Sequence, residues 1–253
     1  MEILQGKTIG WVITGSFCTI DAVLPQMKRL KESGAKVCPI FSKHVSTLDT
    51  RFNQAQEVRR KVTEICGAEI IDTLPKAEPI GPQKLLDAII VAPCTGNTLA
   101  KLANSITDTT ATLAVKAHLR NQRPVILALA SNDALAGNAK NLGILLNAKH
   151  YYFVPFGQDG AKTKSNSMQA HFASIVPTIE GALAGKQIQP MLLGAGECLK
   201  DEKKTGVWPL PARRLLHLFY IVKLCIIFYK YFMKKWEVLE LNVTKKEKKK
   251  SAS

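Results

Sequence analysis

Short apolar runs alternate with amphipathic stretches along most of this chain. The apolar runs cover residues 8–14, 36–41, 69–71, 88–92, 125–129 and 151–154 and have the lengths of strands. Stretches compatible with helices lie between most of them, at residues 20–33, 50–66, 97–103, 109–120, 138–148 and 167–184. This alternation predicts an α/β fold in which helices cover both faces of a parallel sheet.

The most informative stretch joins the apolar run at residues 88–92 to the helix predicted to begin near residue 97. Pro93 should end the strand, because proline cannot donate a ladder hydrogen bond. Small and polar residues follow it, namely Cys94, Thr95, Gly96, Asn97 and Thr98. Ligands of open α/β sheets bind at such strand ends, where helix N-termini favour anions. The alternative is an ordinary turn in which Asn97 or Thr98 only caps the helix.

Three further strand ends carry the same kind of residue. Gly15 and Ser16 follow the first run, Ser42 follows the second, and Ser131 and Asn132 follow the run at 125–129. Helix capping explains each end alone, but four similar ends indicate a shared site. We expect a flat, phosphate-bearing cofactor there, and no metal.

Charge and cysteine content divide the chain and indicate its compartment. Residues 204–253 hold 12 of the 35 Lys and Arg residues and 3 of the 20 Asp and Glu residues, so this part carries most of the net charge of +15. We therefore expect a domain of about 200 residues followed by a basic extension. The six cysteines are scattered without metal-ligand spacing, and the first residues lack the features of a signal peptide. A cytoplasmic protein that does not bind nucleic acid is expected.

The extension contains an apolar stretch at residues 215–233, which we predict to be helical. His217, Lys223 and Lys230 interrupt it. A central lysine costs about 2.5 to 3.5 kcal/mol on insertion, so a spanning helix is disfavoured. An amphipathic helix on an anionic membrane surface and an extension without a role remain alternatives.

Residues 92–103 resemble the Pro-x-x-x-Asn-Thr segment of a flavoprotein family that includes phosphopantothenoylcysteine decarboxylase, lantibiotic peptide decarboxylases and flavin prenyltransferases. Longer segments are similar to members that act as the B subunit of a two-subunit oxidoreductase. They lie at residues 78–87, 92–103, 106–109, 114–124, 131–135 and 152–159. The resemblance extends from about residue 5 to residue 193, so it implies a domain at residues 1–193 and leaves residues 194–253 as the basic extension.

This resemblance implies a flavodoxin-related, Rossmann-like three-layer sandwich that binds FMN. Gly15 and Ser16 would contact the FMN phosphate, and Ser42 would lie near the flavin or its ribityl chain. The later strand ends would complete the pocket with Pro93, Thr95, Gly96, Asn97, Thr98, Ser131 and Asn132. The resemblance further implies a homo-oligomer, a separate A subunit that holds NADP, and oxidation of a dihydro-dicarboxylate in the mother cell of a sporulating bacterium.

Two departures from the decarboxylating members affect the predicted reaction. Those members carry a histidine before the strand that leads into the Pro-x-x-x-Asn-Thr segment, whereas residues 78–87 contain none. Their Pro-Ala-Met-Asn stretch is replaced here by residues 130–133, Ala-Ser-Asn-Asp. Decarboxylation is therefore disfavoured. A non-catalytic binding subunit with a vestigial flavin pocket remains an alternative to the oxidoreductase subunit.

Cationic residues are the candidates for binding a dicarboxylate substrate. Lys162 and Lys164 lie in a polar loop at residues 157–167 that resembles a lid in composition, and Arg120 and Arg123 are further candidates. The alternative is a solvated run of charges.

No residue is assigned to the chemical step. His44 follows the second strand and is either a proton carrier or a solvated side chain. Cys94 is predicted to pack beside the flavin rather than to act as a nucleophile, since no partner base accompanies it. His118 is predicted to lie on a polar helix surface.

Overall fold

The structure, a computed structural model, describes residues 2–194 and residue 197. Seven strands in this part of the chain form one sheet. They are β1 (Thr8–Ile13), β2 (Lys36–Phe41), β3 (Ala88–Cys94), β4 (Val125–Ser131), β5 (Tyr151–Phe153), β6 (Phe156–Gly157) and β7 (Met168–Ala170). Most of the predicted extension, including residues 215–233, lies outside the described residues.

Eight α-helices accompany the sheet within the described residues. They are α1 (Ile20–Glu32), α2 (Lys43–Thr47), α3 (Ala55–Cys66), α4 (Leu74–Ala77), α5 (Gly96–Ala103), α6 (Thr110–Leu119), α7 (Ala139–Leu146) and α8 (Ile175–Leu183). Helix α1 packs against α3 and α8, while α5 packs against α6 and α7. All residues of β3 and β4 are buried, as expected for strands covered on both faces. The predicted three-layer α/β fold is confirmed. Within residues 2–194, the helices lack the length and apolar character needed to cross a bilayer.

Strands β2, β1, β3 and β4 are neighbours in that order, and all three pairings are parallel. On the outer side of β4, β5 pairs in parallel with the beginning of the strand, where Val125 lies opposite Tyr151. The end of β4 pairs with β7, where Ser131 lies opposite Met168 in an antiparallel ladder. Strand β6 continues the sheet beyond β7, again antiparallel. The prediction of a purely parallel sheet is therefore wrong at this edge.

Two predicted elements also need correction. Residues 69–71 form an isolated bridge between Ile71 and Ile40 instead of a strand. The helix predicted over 167–184 begins only at Ile175, because Met168–Ala170 forms β7 with burial that alternates along the strand. Such a short period-2 segment is hidden when it directly precedes a helical pattern.

Pro93 lies inside β3, although we predicted that it would end the strand. The pairing of β3 with β4 shifts its register between Val91 and Cys94. Proline is tolerated at such an irregularity because no regular ladder bond requires its missing N–H group. The strand therefore reaches Cys94, and α5 begins only two residues later.

Candidate functional site

The carboxyl ends of β1, β2, β3 and β4 meet at one edge of the sheet because the four strands are parallel neighbours. In the pairings, Ile13 of β1 lies opposite Phe41 of β2, and Val12 lies opposite Val91 of β3. The residues that follow these strands therefore lie side by side. This geometry brings together the ten predicted cofactor-binding residues, which are Gly15, Ser16, Ser42, Pro93, Thr95, Gly96, Asn97, Thr98, Ser131 and Asn132.

Hydrogen bonds join the first three strand ends directly. The Thr14 hydroxyl donates to the Pro93 carbonyl at 2.7 Å and accepts from the Thr95 amide at 3.1 Å. The Ser42 amide donates to the Ile13 carbonyl at 3.1 Å. Because Thr14 is buried, these bonds fix the loop after β1 against the loop after β3.

The loop after β1 presents open backbone at Gly15. A Cβ atom at Gly15 would meet only ordinary contacts, with the Phe17 ring at 3.5 Å and the His44 side chain at 3.9 Å. Thr19 Oγ1 lies 2.9 Å from both the carbonyl and the hydroxyl oxygen of Ser16 and so fixes the turn. The Ser16 amide donates to the Thr14 carbonyl at 2.8 Å and closes a tight turn before a helix, which is a position that suits a phosphate.

Ser42 supplies the site's unpartnered polar atom. The residue stands at the N-cap position of α2, but its side chain makes no capping bond. Its Oγ atom is buried and has no hydrogen-bond partner among the described residues. A buried hydroxyl without a partner is destabilising, and a ligand bound at this edge would complete its hydrogen bonding.

Helix α5 begins at the centre of the site. The Thr95 side chain caps the helix, because its Oγ1 atom accepts from the Thr98 amide at 3.2 Å. Gly96 and Thr98 are buried, whereas Asn97 is exposed at the helix start. This cap gives the Thr98 amide its hydrogen-bond partner. The amides of Gly96 and Asn97 lie in the same first turn, at the positive end of the helix dipole.

The end of β4 contacts the start of α5. Ser131 is the last residue of β4 and is buried, whereas Asn132 is exposed and accepts a bond from the Ser167 hydroxyl at 3.3 Å. A Cβ atom at Gly96 would lie 2.5 Å from Ser131 Oγ and 2.6 Å from Asp133 Oδ1. Gly96 is therefore required for this close approach. Sequence reasoning missed Asp133, although its place in a polar Ser-Asn-Asp run after an apolar strand was a usable signal.

The loop that carries Lys162 and Lys164 reaches the same edge through the β6 and β7 pair. The Leu135 amide, just beyond β4, donates to the Asn166 carbonyl at 3.0 Å. The Lys164 ammonium lies 3.4 Å from Asp159 Oδ2, whereas the exposed Lys162 makes no ion pair within the described part of the chain. Both lysines are thus brought to the side of the site formed by β4.

Similarity to known proteins agrees with this geometry. Residues 2–177 match the sequence pattern of a family described as Flavoprotein. The chain belongs to the flavoprotein family.

Two relatives within the flavoprotein family are covered over nearly all of their own length. The chain is 45% identical over 193 residues to the B subunit of dipicolinate synthase of Bacillus subtilis (strain 168), covering 76% of this chain and 96% of the relative. The crystal structure of the corresponding B subunit from Bacillus halodurans has 44% identity and a TM-score of 0.71, with 76% of this chain and 98% of that chain covered. The FMN-dependent cysteine decarboxylase SpaF shares the fold at 19% identity and a TM-score of 0.54, with 72% and 98% covered.

Two other predicted candidates lie far from the site of this flavoprotein. Arg123 donates from Nη1 to the carbonyls of Lys84 and Leu86, and Arg120 ends α6. These residues precede β3 and β4, so both arginines lie at the opposite edge of the sheet. They are not substrate-binding candidates.

The prediction that His118 lies on a polar surface is wrong. The residue is fully buried on α6, where its Nε2 atom lies 3.1 Å from the Pro124 carbonyl. Burial lowers the pKa of this histidine to about 4, and its Nδ1 atom has no partner within the described residues. The sequence suggested a surface position because the charged residues Lys116 and Arg120 are its neighbours; both are exposed, but His118 lies among the buried residues of α6.

Cys94 is fully buried at the end of β3, and this burial raises the pKa of its thiol to about 12. A nucleophilic cysteine needs a lowered pKa, so the thiol does not fit that role. His44 is exposed on the first turn of α2, next to Gly15. Among the residues that the structure describes, no group of three His, Cys, Asp or Glu side chains is arranged to hold a metal ion.

Proposed function

We propose that this chain binds FMN at the shared strand edge and acts as the B subunit of dipicolinate synthase. With an A subunit, it would oxidise dihydrodipicolinate to dipicolinate in the mother cell of a sporulating bacterium. The observation that carries the proposal is the 45% identity to the Bacillus subtilis protein over 96% of that protein's length. In this proposal the A subunit holds NADP, and the present chain assembles with further copies of itself.

The described residues fit FMN at three points. The turn at Gly15 and Ser16 precedes a helix and has room for a phosphate beside Gly15. The unpartnered Ser42 hydroxyl provides a hydrogen bond for the ribityl chain or the flavin ring. The Thr14 bonds to Pro93 and Thr95 keep this cradle in place without a ligand. When bound, FMN would supply an acceptor for a hydride, and the NADP held by the A subunit would be the alternative acceptor.

The proposed substrate is a dicarboxylate, and its charge would be met from the β4 side of the site. Lys162 is exposed and without an ion pair within residues 2–194, so its ammonium group is available to a carboxylate. Lys164 is held by Asp159 and would contribute less. Oxidation of the dihydro ring removes one hydride and one proton. In this proposal the chain binds and orients the substrate and supplies positive charge to its carboxylates.

The decisive experiment is purification of the full chain, acid release of any bound cofactor and its identification by mass. Release of FMN from a yellow protein supports the flavin site. Activity should then be measured as dipicolinate formation with and without the A subunit. A colourless protein that still activates the A subunit would instead support a non-catalytic binding role. A protein that neither binds FMN nor affects the A subunit would overturn the proposal.

A further inference from the structure

We propose that Asp133 is a positioning residue that fixes Ser131 as a hydrogen-bond acceptor in the flavin site. This inference rests on the proposed function, because it concerns the same pocket. Asp133 lies just beyond β4, and its carboxylate contacts the residues that link β4 to the start of α5.

The two oxygens of Asp133 have different partners. Ser131 Oγ donates to Oδ1 at 2.5 Å, and Asn138 Nδ2 donates to Oδ2 at 2.7 Å. A carboxylate accepts hydrogen bonds and cannot donate them. The single hydroxyl hydrogen of Ser131 is therefore used on Asp133, and only the lone pairs of Ser131 remain for a ligand.

The same carboxylate sets the direction of a chain of amides. Because Asn138 Nδ2 faces Asp133, its Oδ1 atom must accept, and it does so from Asn141 Nδ2 at 2.9 Å. Asn141 Oδ1 accepts in turn from Asn104 Nδ2 at 3.3 Å. Asn104 is the C-cap of α5, and the carboxylate of Asp133 lies beside Gly96 at the other end of that helix. The network thus holds α5 at both ends.

This arrangement divides the site by charge. A carboxylate beside the first turn of α5 compensates the positive helix end there, so a phosphate is better placed at the Gly15 and Ser16 turn. A hydrogen-bond donor of the ligand, such as a ring N–H group, suits the side of the pocket next to Ser131. A negative charge in this position also disfavours the gain of negative charge by a flavin.

The variant Asp133→Asn separates charge from shape. The new carbonyl oxygen can still accept from Asn138, so the chain of amides is preserved. The new amide nitrogen donates to Ser131 Oγ and frees the serine hydrogen, which turns Ser131 into a donor. We expect the midpoint reduction potential of FMN bound to the full chain to become more positive, as measured by spectroscopic redox titration.

Two further variants make the test specific. Asn141→Ala breaks the chain of amides but leaves the bond between Asp133 and Ser131, so it should lower the unfolding temperature without moving the potential. In a Ser131→Ala background, Asp133→Asn should shift the potential less than in the native chain, because the carboxylate acts through the hydroxyl. Ser131→Ala alone should also change the potential, which keeps the test available if Asp133→Asn does not fold.

An unchanged potential in Asp133→Asn or Ser131→Ala would overturn the inference. Equal shifts in the presence and absence of the Ser131 hydroxyl, or an equal shift in Asn141→Ala, would do the same. These outcomes require a native chain that binds FMN. If the native chain binds none, the proposed function fails first, so the two failures are distinguishable.

Discussion

Ser42 offers a direct test of the cofactor site, because its hydroxyl contributes no hydrogen bond within the described protein. Ser42→Ala should leave the stability of the ligand-free chain unchanged or raise it by up to about 1 kcal/mol, since an unsatisfied buried group is removed. The same variant should weaken FMN binding by about 3- to 10-fold, the worth of one neutral hydrogen bond. Fluorescence titration of FMN and thermal unfolding give the two quantities.

A matched serine is available away from the site. Ser33 follows α1, and its hydroxyl donates to the Arg29 carbonyl at 2.9 Å. Ser33→Ala should leave the FMN affinity unchanged. An unchanged affinity in Ser42→Ala, or equal losses in both variants, would remove Ser42 from the site.

The buried His118 makes stability depend on pH. Its pKa is lowered from 6.5 to about 4, so the unfolded chain takes up the proton first as the pH falls. The contribution of the neutral His118 to the free energy of unfolding is complete above pH 6.5. It is lost as the pH falls towards 4, and the total loss is at most about 3 kcal/mol. Urea unfolding at pH 7 and pH 5 should show this loss in the native chain and a smaller one in His118→Gln. Equal losses in both proteins would contradict the assignment.

The sequence indicated which residue types gather at the shared sheet edge. It did not indicate how deeply each side chain is buried or what it contacts. Gly15, Ser42 and Asn97 could be placed together because small polar residues after parallel strands meet at one edge. The burial of His118 could not be predicted, because it depends on contacts between distant segments, and Asp133 was missed although its polar run offered a signal. His118 is fully buried, whereas Asp133 is exposed.

The junction of β3 and α5 depends on a glycine. In Gly96→Ala the added methyl would meet Ser131, Asp133 and Asn138 within 2.6 Å, and hydrogen bonds hold these side chains in place. We expect a loss of stability of about 1 to 3 kcal/mol, typical of overpacking. Gly143 in α7 provides the control, because a methyl group added there would meet nothing within 4 Å. The variant Gly143→Ala should stabilise the chain by about 0.5 to 1 kcal/mol, since glycine is unfavourable in a helix interior. Urea unfolding measures both changes, and equal effects would contradict the close approach.

The loop between β6 and β7 should determine affinity for the anionic substrate. Lys162→Ala should raise KM for the dicarboxylate about 5- to 10-fold with the A subunit present, because a charge-assisted contact is lost. Lys164→Ala should have a smaller effect, since Asp159 holds that ammonium at 3.4 Å. Lys28→Ala on α1, which changes the net charge equally, should leave KM unchanged. Normal KM values in both loop variants would exclude this loop from substrate binding.

Strand and helix predictions succeeded where the apolar residues of a segment followed a single spacing, that of a strand or that of a helix. The runs that became β1, β2 and β4 were long enough to be recognised, and α6 was recognised within a residue at each end. Strands β6 and β7 have only two and three residues, too few to establish a period. The pairing of β7 with the end of β4 and of β6 with β7 is a tertiary effect, and it brings the loop of Lys162 and Lys164 to this edge of the sheet.

Within the described residues, the buried core that surrounds the site lies before the predicted basic extension. The buried hydrophobic core of the described residues runs from Leu4 to Ala182, and the last bridge joins Leu192 to Phe156. A chain ending at Glu197 should therefore retain the unfolding midpoint and FMN affinity of the full chain. It also loses the net charge of +9 carried by residues 204–253.

Thermal unfolding and FMN titration of the two chains test this division, and flotation with anionic vesicles tests the extension. If residues 215–233 lie on membrane surfaces, the full chain should float with the vesicles and the shortened chain should not. If both chains float, or if neither does, the membrane proposal fails, and the cofactor site is unaffected by that result. A shortened chain that folds but no longer binds FMN would show that the extension contributes to the cofactor site. That result would contradict a cradle built from the four strand ends alone.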